Sequence, residues 1–216
     1  MTKVSKVAVI GLGNIGQVVA TNLVKGNRSV IIANRDFSKA TKLAEQLGSL
    51  AKPMDIVSAI KEADIIVFSV WFDAIKELLN QYKTELQGKI IIDPSNPIAP
   101  DGKGGFVKTI AENEAAGGLL AKLLPKDAKL VKALGTLGAA SLSNASRQKP
   151  EFKVLFYALD EKSIQAEIET LITDCGFAPM CIGGIDKSIR IEVFGDLHEF
   201  GALGKTVTLA EAKEKI

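Results

Sequence analysis

Residues 4–19 read V-S-K-V-A-V-I-G-L-G-N-I-G-Q-V-V, which is a β-branched run, a turn with three glycines and the start of a helical pattern. Gly11, Gly13 and Gly16 have the spacing G-x-G-x-x-G, directly after an apolar strand and at the opening of a helix. Such glycines allow a tight turn, a close approach of backbone N–H groups to a pyrophosphate, and close packing of helix on strand. The helix N-terminus adds roughly half a positive charge towards the phosphates. The stretch therefore predicts a dinucleotide-binding turn made of Gly11, Leu12, Gly13, Asn14, Ile15 and Gly16.

The alternation of strand and helix continues outward from this turn. Apolar runs typical of buried strands recur at residues 29–33, 64–70, 89–93, 129–134, 153–159 and 177–182. Helical patterns lie between them, among others at residues 14–25, 111–124 and 161–175, and the proline- and glycine-bearing residues 98–105 are expected to form a surface loop.

This alternation predicts an α/β fold, in which helices cover both faces of a doubly wound, mostly parallel sheet, as in the NAD(P)-binding Rossmann fold. We expect a dinucleotide-binding Rossmann domain over residues 1–138. Residues 139–216 are expected to form a small C-terminal βαβ extension and a tail, packed on the same unit.

The composition narrows the class of partner. With 27 basic and 25 acidic residues the formal net charge is +2, so the chain has no strong field to hold a nucleic acid or an acidic membrane surface. The first apolar run is short and is broken at Gly11, which argues against a leader peptide, and no run reaches the roughly 20 apolar residues of a membrane helix. Two cysteines are too few for a disulfide framework. We expect a soluble, cytoplasmic protein without nucleic-acid or membrane partners.

The end of the second strand predicts which dinucleotide binds. An acidic residue there holds the ribose hydroxyls of NAD, whereas a basic one accommodates the extra phosphate of NADP. The first polar residues after that strand are Asn34 and Arg35, and Lys39 follows one helical turn later, which favours NADP. Asp36 lies 20 residues after Gly16, at a spacing expected of an NAD-binding acid, but it stands third after the strand and suits a helix cap better.

Further candidates lie at the carboxyl ends of the later strands, where open α/β sheets bind their ligands. Trp71 offers a ring that could stack on a planar group, with partly buried packing as the alternative. The polar residues Ser69, Asn96 and Thr136 offer hydrogen bonds to ribose or nicotinamide, with loop capping as the alternative. The predicted cofactor contacts here are Ser69, Val70, Trp71, Asn96, Thr136 and Leu137.

The chain offers little acid–base chemistry. His198 is the single histidine and lies in residues 185–203, which have no clear pattern, so we expect a surface or interface position for it. No metal-ligand motif or serine-nucleophile motif is present, and no catalytic residue is assigned. Hydride transfer between two cofactors suits such a chain, because the protein then mainly orients rings and excludes water.

These motifs resemble those of the deazaflavin (coenzyme F420)-dependent NADP oxidoreductases, and also those of the cytosolic reductase domain of transmembrane metalloreductases. The resemblance is carried by Gly11 to Gly16, Asn34-Arg35 with Lys39, Trp71 with Ala74-Ile75, Asp93 to Pro97, Ala133 to Leu137, and Ser188-Ile189-Arg190. It implies that Asn34, Arg35 and Lys39 hold the adenosine phosphate, and that Thr136 and Leu137 lie beside the nicotinamide. The chain departs from the family at Gly135, where the deazaflavin enzyme carries a histidine, and this leaves the second substrate open.

The expected function is hydride transfer between NADP(H) and a deazaflavin, a flavin or another small redox acceptor. A second hypothesis is an imine or hydroxy-acid reductase, although the βαβ pattern at residues 153–182 leaves no room for the long helical substrate domain of those enzymes. A third is an NADP(H)-binding redox sensor without turnover. Apolar residues near the tail suggest a homodimer contact through Ile191, Val193, Phe194, Leu197 and Phe200.

Overall fold

The computed structural model describes residues 4–216. Residues 1–3, which begin the first predicted domain and the segment in which no leader is expected, lie outside the described residues. The strands are β1 Val7–Ile10, β2 Val30–Ala33, β3 Ala51–Pro53, β4 Ile65–Phe68, β5 Ile90–Asp93, β6 Ile98–Pro100, β7 Phe106–Lys108, β8 Lys129–Lys132, β9 Val154–Leu159 and β10 Ala178–Cys181. The α-helices are α1 Asn14–Lys25, α2 Phe37–Leu47, α3 Ile56–Glu62, α4 Phe72–Gln81, α5 Ala116–Ala121, α6 Ala139–Asn144, α7 Gln165–Asp174 and α8 Leu209–Lys213, with 3₁₀ segments at Lys162–Ile164 and Ile185–Ile191.

Within residues 4–216 eight strands form one sheet in the order β3-β2-β1-β4-β5-β8-β9-β10, and β6 pairs with β7 separately. Neighbouring strands from β3 to β8 are parallel, as are β9 and β10. The chain leaves β3 and crosses to β4 on the other side of β1, so the direction of winding reverses between β1 and β4. That point is where a doubly wound sheet opens a crevice for a ligand. The predicted fold class is confirmed.

The core lies on both faces of this sheet. Strands β1, β2, β4 and β5 are buried along their whole length, which explains their unbroken Val/Ile runs. Val7 and Val9 pack with α1, α2 and α7 on one face, and Ala8 and Ile10 pack with α3, α4 and α5 on the other. Each fully buried Val or Ile side chain contributes roughly 1.5–3 kcal/mol of hydrophobic free energy. No helix among the described residues is both long and apolar enough to cross a membrane.

One junction in the sheet differs from the expected regular alternation of parallel strands. Strand β9 runs antiparallel to β8, with Val131 opposite Leu159 and Lys132 opposite Ala158. An apolar run predicts a buried strand but is the same for either strand direction, so the reversal has no local signal. As a consequence the carboxyl ends of β9 and β10 lie at the other edge of the sheet from those of β1, β4, β5 and β8.

Two expected elements between β5 and β8 are wrong in detail. The predicted surface loop at residues 98–105 is instead the start of a β6–β7 hairpin, whose turn is closed by the Asp101 carboxylate accepting the N–H groups of Lys103 and Gly105 at 2.7 and 2.9 Å. The predicted helix at residues 111–124 is instead the short helix α5, whose first N–H groups at Ala116 and Gly117 are capped by the carboxylate of Glu192, which is remote in sequence.

Candidate functional site

The glycine turn has the geometry that its spacing predicts. Gly11 has φ +95°, and a side chain there would overlap the Ser69 carbonyl, while a side chain at Gly16 would overlap the Gly11 carbonyl. A Cβ at Gly13 would meet no atom within 4 Å, and no side chain caps the start of α1 at this residue. Gly11 and Gly16 therefore serve close packing, and Gly13 leaves open backbone at a helix N-terminus, where an anion can approach.

The end of β2 lies directly beside this turn. Asn34 Oδ1 accepts the Leu12 N–H at 3.1 Å, and its Nδ2 donates to the Asp36 carbonyl at 3.2 Å. Asn34 therefore connects the glycine turn to the residues that follow β2. Arg35 and Lys39 are exposed, and neither side chain has a hydrogen-bond or ion-pair partner among residues 4–216. Two exposed cations without a hydrogen-bonded partner among the described residues thus stand where an adenosine phosphate is expected.

Asp36 is used as a helix cap. Its Oδ1 accepts the Ser38 hydroxyl at 2.8 Å and the Ser38 N–H at 3.1 Å, at the start of α2. These hydrogen bonds, together with the charges of Lys39 and Lys42, lower the pKa of Asp36. The predicted capping role is confirmed, and the carboxylate is turned to its own helix.

The predicted site residues that follow β4 lie in two different environments, the glycine turn and a small cavity. The Ser69 N–H donates to the Ile10 carbonyl at 2.8 Å, and Ser69 and Val70 pack against Gly11. Trp71 stands at the start of α4 and is 61% exposed, so it is not the partly buried packing residue offered as the alternative. Together with Ile98 and neighbouring hairpin residues it lines a small cavity of about 230 Å³.

A larger cavity, of about 390 Å³, opens at the carboxyl edge of the sheet. It begins at the glycine turn and is lined by the loops after β5 and β8, by the β6–β7 hairpin and by residues 190–201, which we call the C-terminal segment. Its lining residues are Ile15, Pro94, Asn96, Ile98, Phe106, Gly135, Leu137, Gly138, Val193, Phe194, His198 and Phe200. We call it the main pocket. No Lys, Arg, Asp or Glu is among the residues that line it.

The main pocket gathers part of the predicted site. Ile15, Asn96 and Leu137 line it together. The side chain of Thr136 is 2% exposed and does not line the pocket, and its hydroxyl has no hydrogen-bond partner among the described residues. Asn34 and Arg35 directly follow β2, and Lys39 lies in the first turn of α2, on the other side of β1 from this pocket.

His198 is the residue that sequence reasoning misplaced. It is 1% exposed and lines the main pocket, so the expected surface position is wrong. Its burial depends on a tightly folded C-terminal segment, in which side chains at Gly195 and Gly201 would overlap nearby backbone. The two glycines that flank His198 were the available signal of a closely packed turn.

The hydrogen bonds of His198 determine which nitrogen of its imidazole ring carries the proton. Nε2 bonds to the Gly135 carbonyl at 3.0 Å, and Nδ1 accepts the Phe200 N–H at 2.9 Å. These partners assign the ring proton to Nε2. Burial lowers the pKa of His198 to about 4, with the Lys132 charge acting in the same direction and the Gly135 bond and Glu199 opposing it. The ring is neutral at pH 7, and both of its nitrogens are engaged.

A buried ion pair lies beneath the loop after β5. Lys132 Nζ is 2.8 Å from Asp93 Oδ2, with side-chain exposures of 3% and 0%, and it also donates to the Ser95 carbonyl. The other Asp93 oxygen accepts the Ser95 N–H at 2.7 Å. Asp93 and Lys132 stand opposite each other on β5 and β8, a pairing that strand order alone creates. The pair anchors the Pro94–Pro97 loop, which leads Asn96 into the pocket.

The C-terminal segment closes the site from outside. Asn96 Oδ1 accepts the Val193 N–H at 2.7 Å, and the Glu199 carboxylate accepts the Gly138 N–H at 2.7 Å and the Ser141 hydroxyl. Ile191, Val193 and Leu197, part of the expected dimer surface, are buried within their own chain, whereas Phe194 and Phe200 remain exposed. Residues 4–216 contain no group of three His, Cys, Asp or Glu that could hold a metal ion.

Parts of the chain are similar to known proteins. Residues 6–97 match the family model described as NADP oxidoreductase, coenzyme F420-dependent. Glutamyl-tRNA reductase of Methanocaldococcus jannaschii is 37% identical over 94 residues, which are 42% of this chain and 24% of that protein. The chain thus spans about a quarter of the length of the first curated relatives that it matches.

Other similarities extend over nearly the whole chain. The F420-dependent NADP reductase of the same organism is 24% identical over 202 residues, 89% of this chain and 90% of that protein. A solved structure of a hypothetical protein from Sinorhizobium meliloti superimposes with a TM-score of 0.82 at 25% identity, covering 94% of this chain and 95% of that one. The named family is one of NADP-dependent oxidoreductases, which agrees with the enzyme class expected from the sequence. The resemblance expected from the sequence is confirmed: residues 6–97 match the coenzyme F420-dependent NADP oxidoreductase family, and a reductase of that name is similar over nearly the whole chain.

Proposed function

We propose that this protein is an NADP-dependent oxidoreductase that transfers hydride between NADP(H) and a small planar acceptor, a deazaflavin such as coenzyme F420 or a flavin. The observation that carries the proposal is the position of the main pocket. It starts at Ile15 on the glycine turn and extends between the loops after β5 and β8, where the nicotinamide end of a dinucleotide would emerge from the crevice. The match of residues 6–97 to the coenzyme F420-dependent NADP oxidoreductase family supports the same function.

The glycine turn and the end of β2 fit an NADP molecule. Open backbone at Gly13 can receive the pyrophosphate at the start of α1. The unpaired cations of Arg35 and Lys39 can hold the adenosine phosphate, Arg35 by a fork of two hydrogen bonds and Lys39 as a point charge. When bound, NADPH supplies the hydride; the residues of this chain orient it and exclude water.

The lining of the main pocket favours an acceptor that places an uncharged, flat ring system inside it. Three phenylalanines stand at its mouth, Phe106, Phe194 and Phe200, each about half exposed. Aromatic faces of this kind suit the flat surface of a fused-ring cofactor. A hydroxy acid or imino acid would bring a carboxylate into a pocket that has no cationic lining residue, and burial of an unpaired charge is costly.

The polar groups in the pocket are suited to positioning. Asn96 uses its amide for the Gly135 carbonyl and the Val193 N–H, and both nitrogens of His198 are occupied. Neither side chain is left free to donate or remove a proton. Hydride transfer between two ring systems needs alignment and dryness more than a proton carrier, so this arrangement favours such a reaction.

The proposal is tested by an NADPH oxidation assay run in parallel with coenzyme F420, FMN, FAD and ferric chelates. We expect turnover with F420 or a flavin and none with ferric chelates alone. Stoichiometric NADPH binding without oxidation by any acceptor would instead support a redox sensor and reject the enzyme. Turnover of 2-hydroxy acids or cyclic imines would reject the acceptor class.

A cytoplasmic location and a homodimer belong to the same proposal. The exposed rings of Phe194 and Phe200 give the C-terminal region an apolar surface on which a second copy could pack. Light scattering of the purified protein at micromolar concentration tests the dimer. A mass of one chain over that concentration range would reject it.

A further inference from the structure

The geometry points to His198 as a positioning residue for hydride transfer, one that holds the loop after β8 in a strained shape and joins it to the outer wall of the main pocket. The inference rests on the proposed function, because it assigns a role in the reaction of that pocket. It extends the proposal to the C-terminal segment, which lies outside residues 6–97, the part of the chain matched to the family.

The loop after β8 needs to be held. Leu134 is buried and has φ +65°, in the left-handed region that residues with a side chain disfavour. Gly135 follows, pressed so closely on Pro94 that a side chain there would overlap the Pro94 carbonyl. Leu137 and Gly138, which come next, line the main pocket. The backbone that shapes the pocket wall is therefore strained at one residue and crowded at the next.

His198 and Asn96 hold this loop at a single atom. The Gly135 carbonyl accepts Nε2–H of His198 at 3.0 Å and Nδ2–H of Asn96 at 3.2 Å. Two donors converging on one carbonyl fix the orientation of the peptide group between the strained residue and the pocket wall. Asn96 is itself anchored on the opposite side, through the Val193 N–H.

The other nitrogen of His198 extends this support to the mouth of the pocket. Nδ1 accepts the N–H of Phe200, whose ring lines the pocket. The neighbouring residue Glu199 donates its N–H to the Thr136 carbonyl at 3.0 Å and binds the Gly138 N–H through its carboxylate. The imidazole thus connects Gly135, in the loop after β8, to Phe200, in the C-terminal segment. Both residues line the main pocket, and a shift of the ring would displace both.

The role requires a neutral ring with a donor on Nε2 and an acceptor on Nδ1. Protonation of Nδ1 would set an N–H against the N–H of Phe200. The charged groups that act on the ring are Lys132 on β8, which disfavours protonation, and Glu199, which favours it. With both nitrogens bonded, the ring takes no part in proton transfer.

The test compares His198→Phe, which keeps the ring volume without its hydrogen bonds, with His198→Gln, whose amide retains one donor and one acceptor. We expect NADPH affinity within about 2-fold of wild type in both, and a hydride-transfer rate measured by stopped flow that falls about 10- to 100-fold in His198→Phe. His198→Gln should recover most of that loss. Asp196→Ala is the matched control, because it removes the ion pair with Arg190 from the same segment without contacting the pocket.

Two readouts need no acceptor and separate this inference from the proposed function. In His198→Phe, amide hydrogen exchange at Gly138 and Glu199 should be at least 10-fold faster, and unchanged exchange would overturn the inference even if the wild type turns over every acceptor. In the wild-type chain, ¹⁵N NMR of the single histidine should show a proton on Nε2 and none on Nδ1 at pH 7. The opposite tautomer, or a charged ring, would overturn the inference without any variant having to fold.

Discussion

At the scale of single residues, the proposed role of Arg35 gives the most specific prediction, because we propose that its exposed guanidinium holds the phosphate that distinguishes NADP from NAD. Replacement by alanine removes a forked hydrogen bond to a phosphate, and hydrogen bonds to charged groups contribute roughly 1.5–3 kcal/mol each. We expect Arg35→Ala to weaken NADPH binding about 10- to 100-fold and to leave NADH binding unchanged. Isothermal titration with both nucleotides checks this.

Lys61→Ala is the control for that measurement, since it removes an exposed lysine from α3. It should bind both nucleotides as the wild type does. Equal loss of NADPH and NADH affinity in Arg35→Ala would mean that the side chain supports the fold of the site and does not read the phosphate.

Gly13 and Gly16 are expected to respond differently to the same substitution. An added methyl group at Gly16 would overlap the Gly11 carbonyl, whereas at Gly13 it would meet no atom of the protein. Gly16→Ala should therefore lower the free energy of unfolding by about 3 kcal/mol, as overpacking of a close backbone contact does. Gly13→Ala should have a free energy of unfolding within about 1 kcal/mol of wild type and should lose at least 10-fold in NADPH affinity, because the added methyl group would stand where we propose that the pyrophosphate binds.

Urea unfolding and nucleotide titration of the two variants measure the contrast. If Gly13→Ala binds NADPH normally, the open backbone at that residue is not the phosphate site.

At the scale of elements, the helix bounds show which signals are local. The spacing of apolar residues after the glycine turn predicts α1 at residues 14–25, as observed, and Asp36 and Gly48 delimit α2 as expected. Helix α5 is shorter than its local pattern predicts, and its first N–H group is capped by the carboxylate of Glu192, which is 76 residues away in the sequence. Local propensity predicts an element well only when its caps lie in its own sequence.

The cap of α5 by Glu192 can be tested against a local cap. Glu192 is 1% exposed and accepts the N–H groups of Ala116 and Gly117 at 2.9 and 3.2 Å, whereas Thr208 caps the exposed α8 in a local capping box. We expect Glu192→Ala to lower the free energy of unfolding by roughly 2–4 kcal/mol, because it leaves two buried donors unpaired. Thr208→Ala should cost about 1 kcal/mol.

Urea denaturation of both variants at pH 7 measures this difference. Equal losses would show that the buried carboxylate contributes no more than a surface cap.

At the scale of the whole molecule, the buried neutral ring of His198 makes stability depend on pH. Its pKa falls from 6.5 to about 4 on folding, so between these values the unfolded chain binds a proton that the folded chain excludes. Stability is therefore complete above pH 6.5 and decreases as the pH falls towards 4, by roughly 3 kcal/mol in total. Urea midpoints of wild type and His198→Gln between pH 4.5 and 7.5 test this.

The variant has no imidazole, so its urea midpoint should change less over that interval. Carboxylates with lowered pKa values, such as Glu211 at about 2, lose their contribution at lower pH and appear in both proteins. Parallel pH profiles for the two proteins would contradict a buried neutral His198.

The sequence by itself determined the α/β class, the glycine turn and the basic end of β2, because each is written in neighbouring residues and needs only local backbone geometry and side-chain chemistry. The tertiary structure alone decided that β9 runs antiparallel to β8 and that Asp93 pairs with Lys132. It also decided that His198 reaches the Gly135 carbonyl from 63 residues away. Strand direction, buried ion pairs and long-range hydrogen bonds depend on which segments meet in space, and hydrophobic periodicity is the same for many such arrangements. The wall of the main pocket is built from contacts between segments that are remote in sequence. The glycine turn could therefore be predicted from the sequence, whereas the hydrogen bonds by which His198 holds the loop after β8 could not.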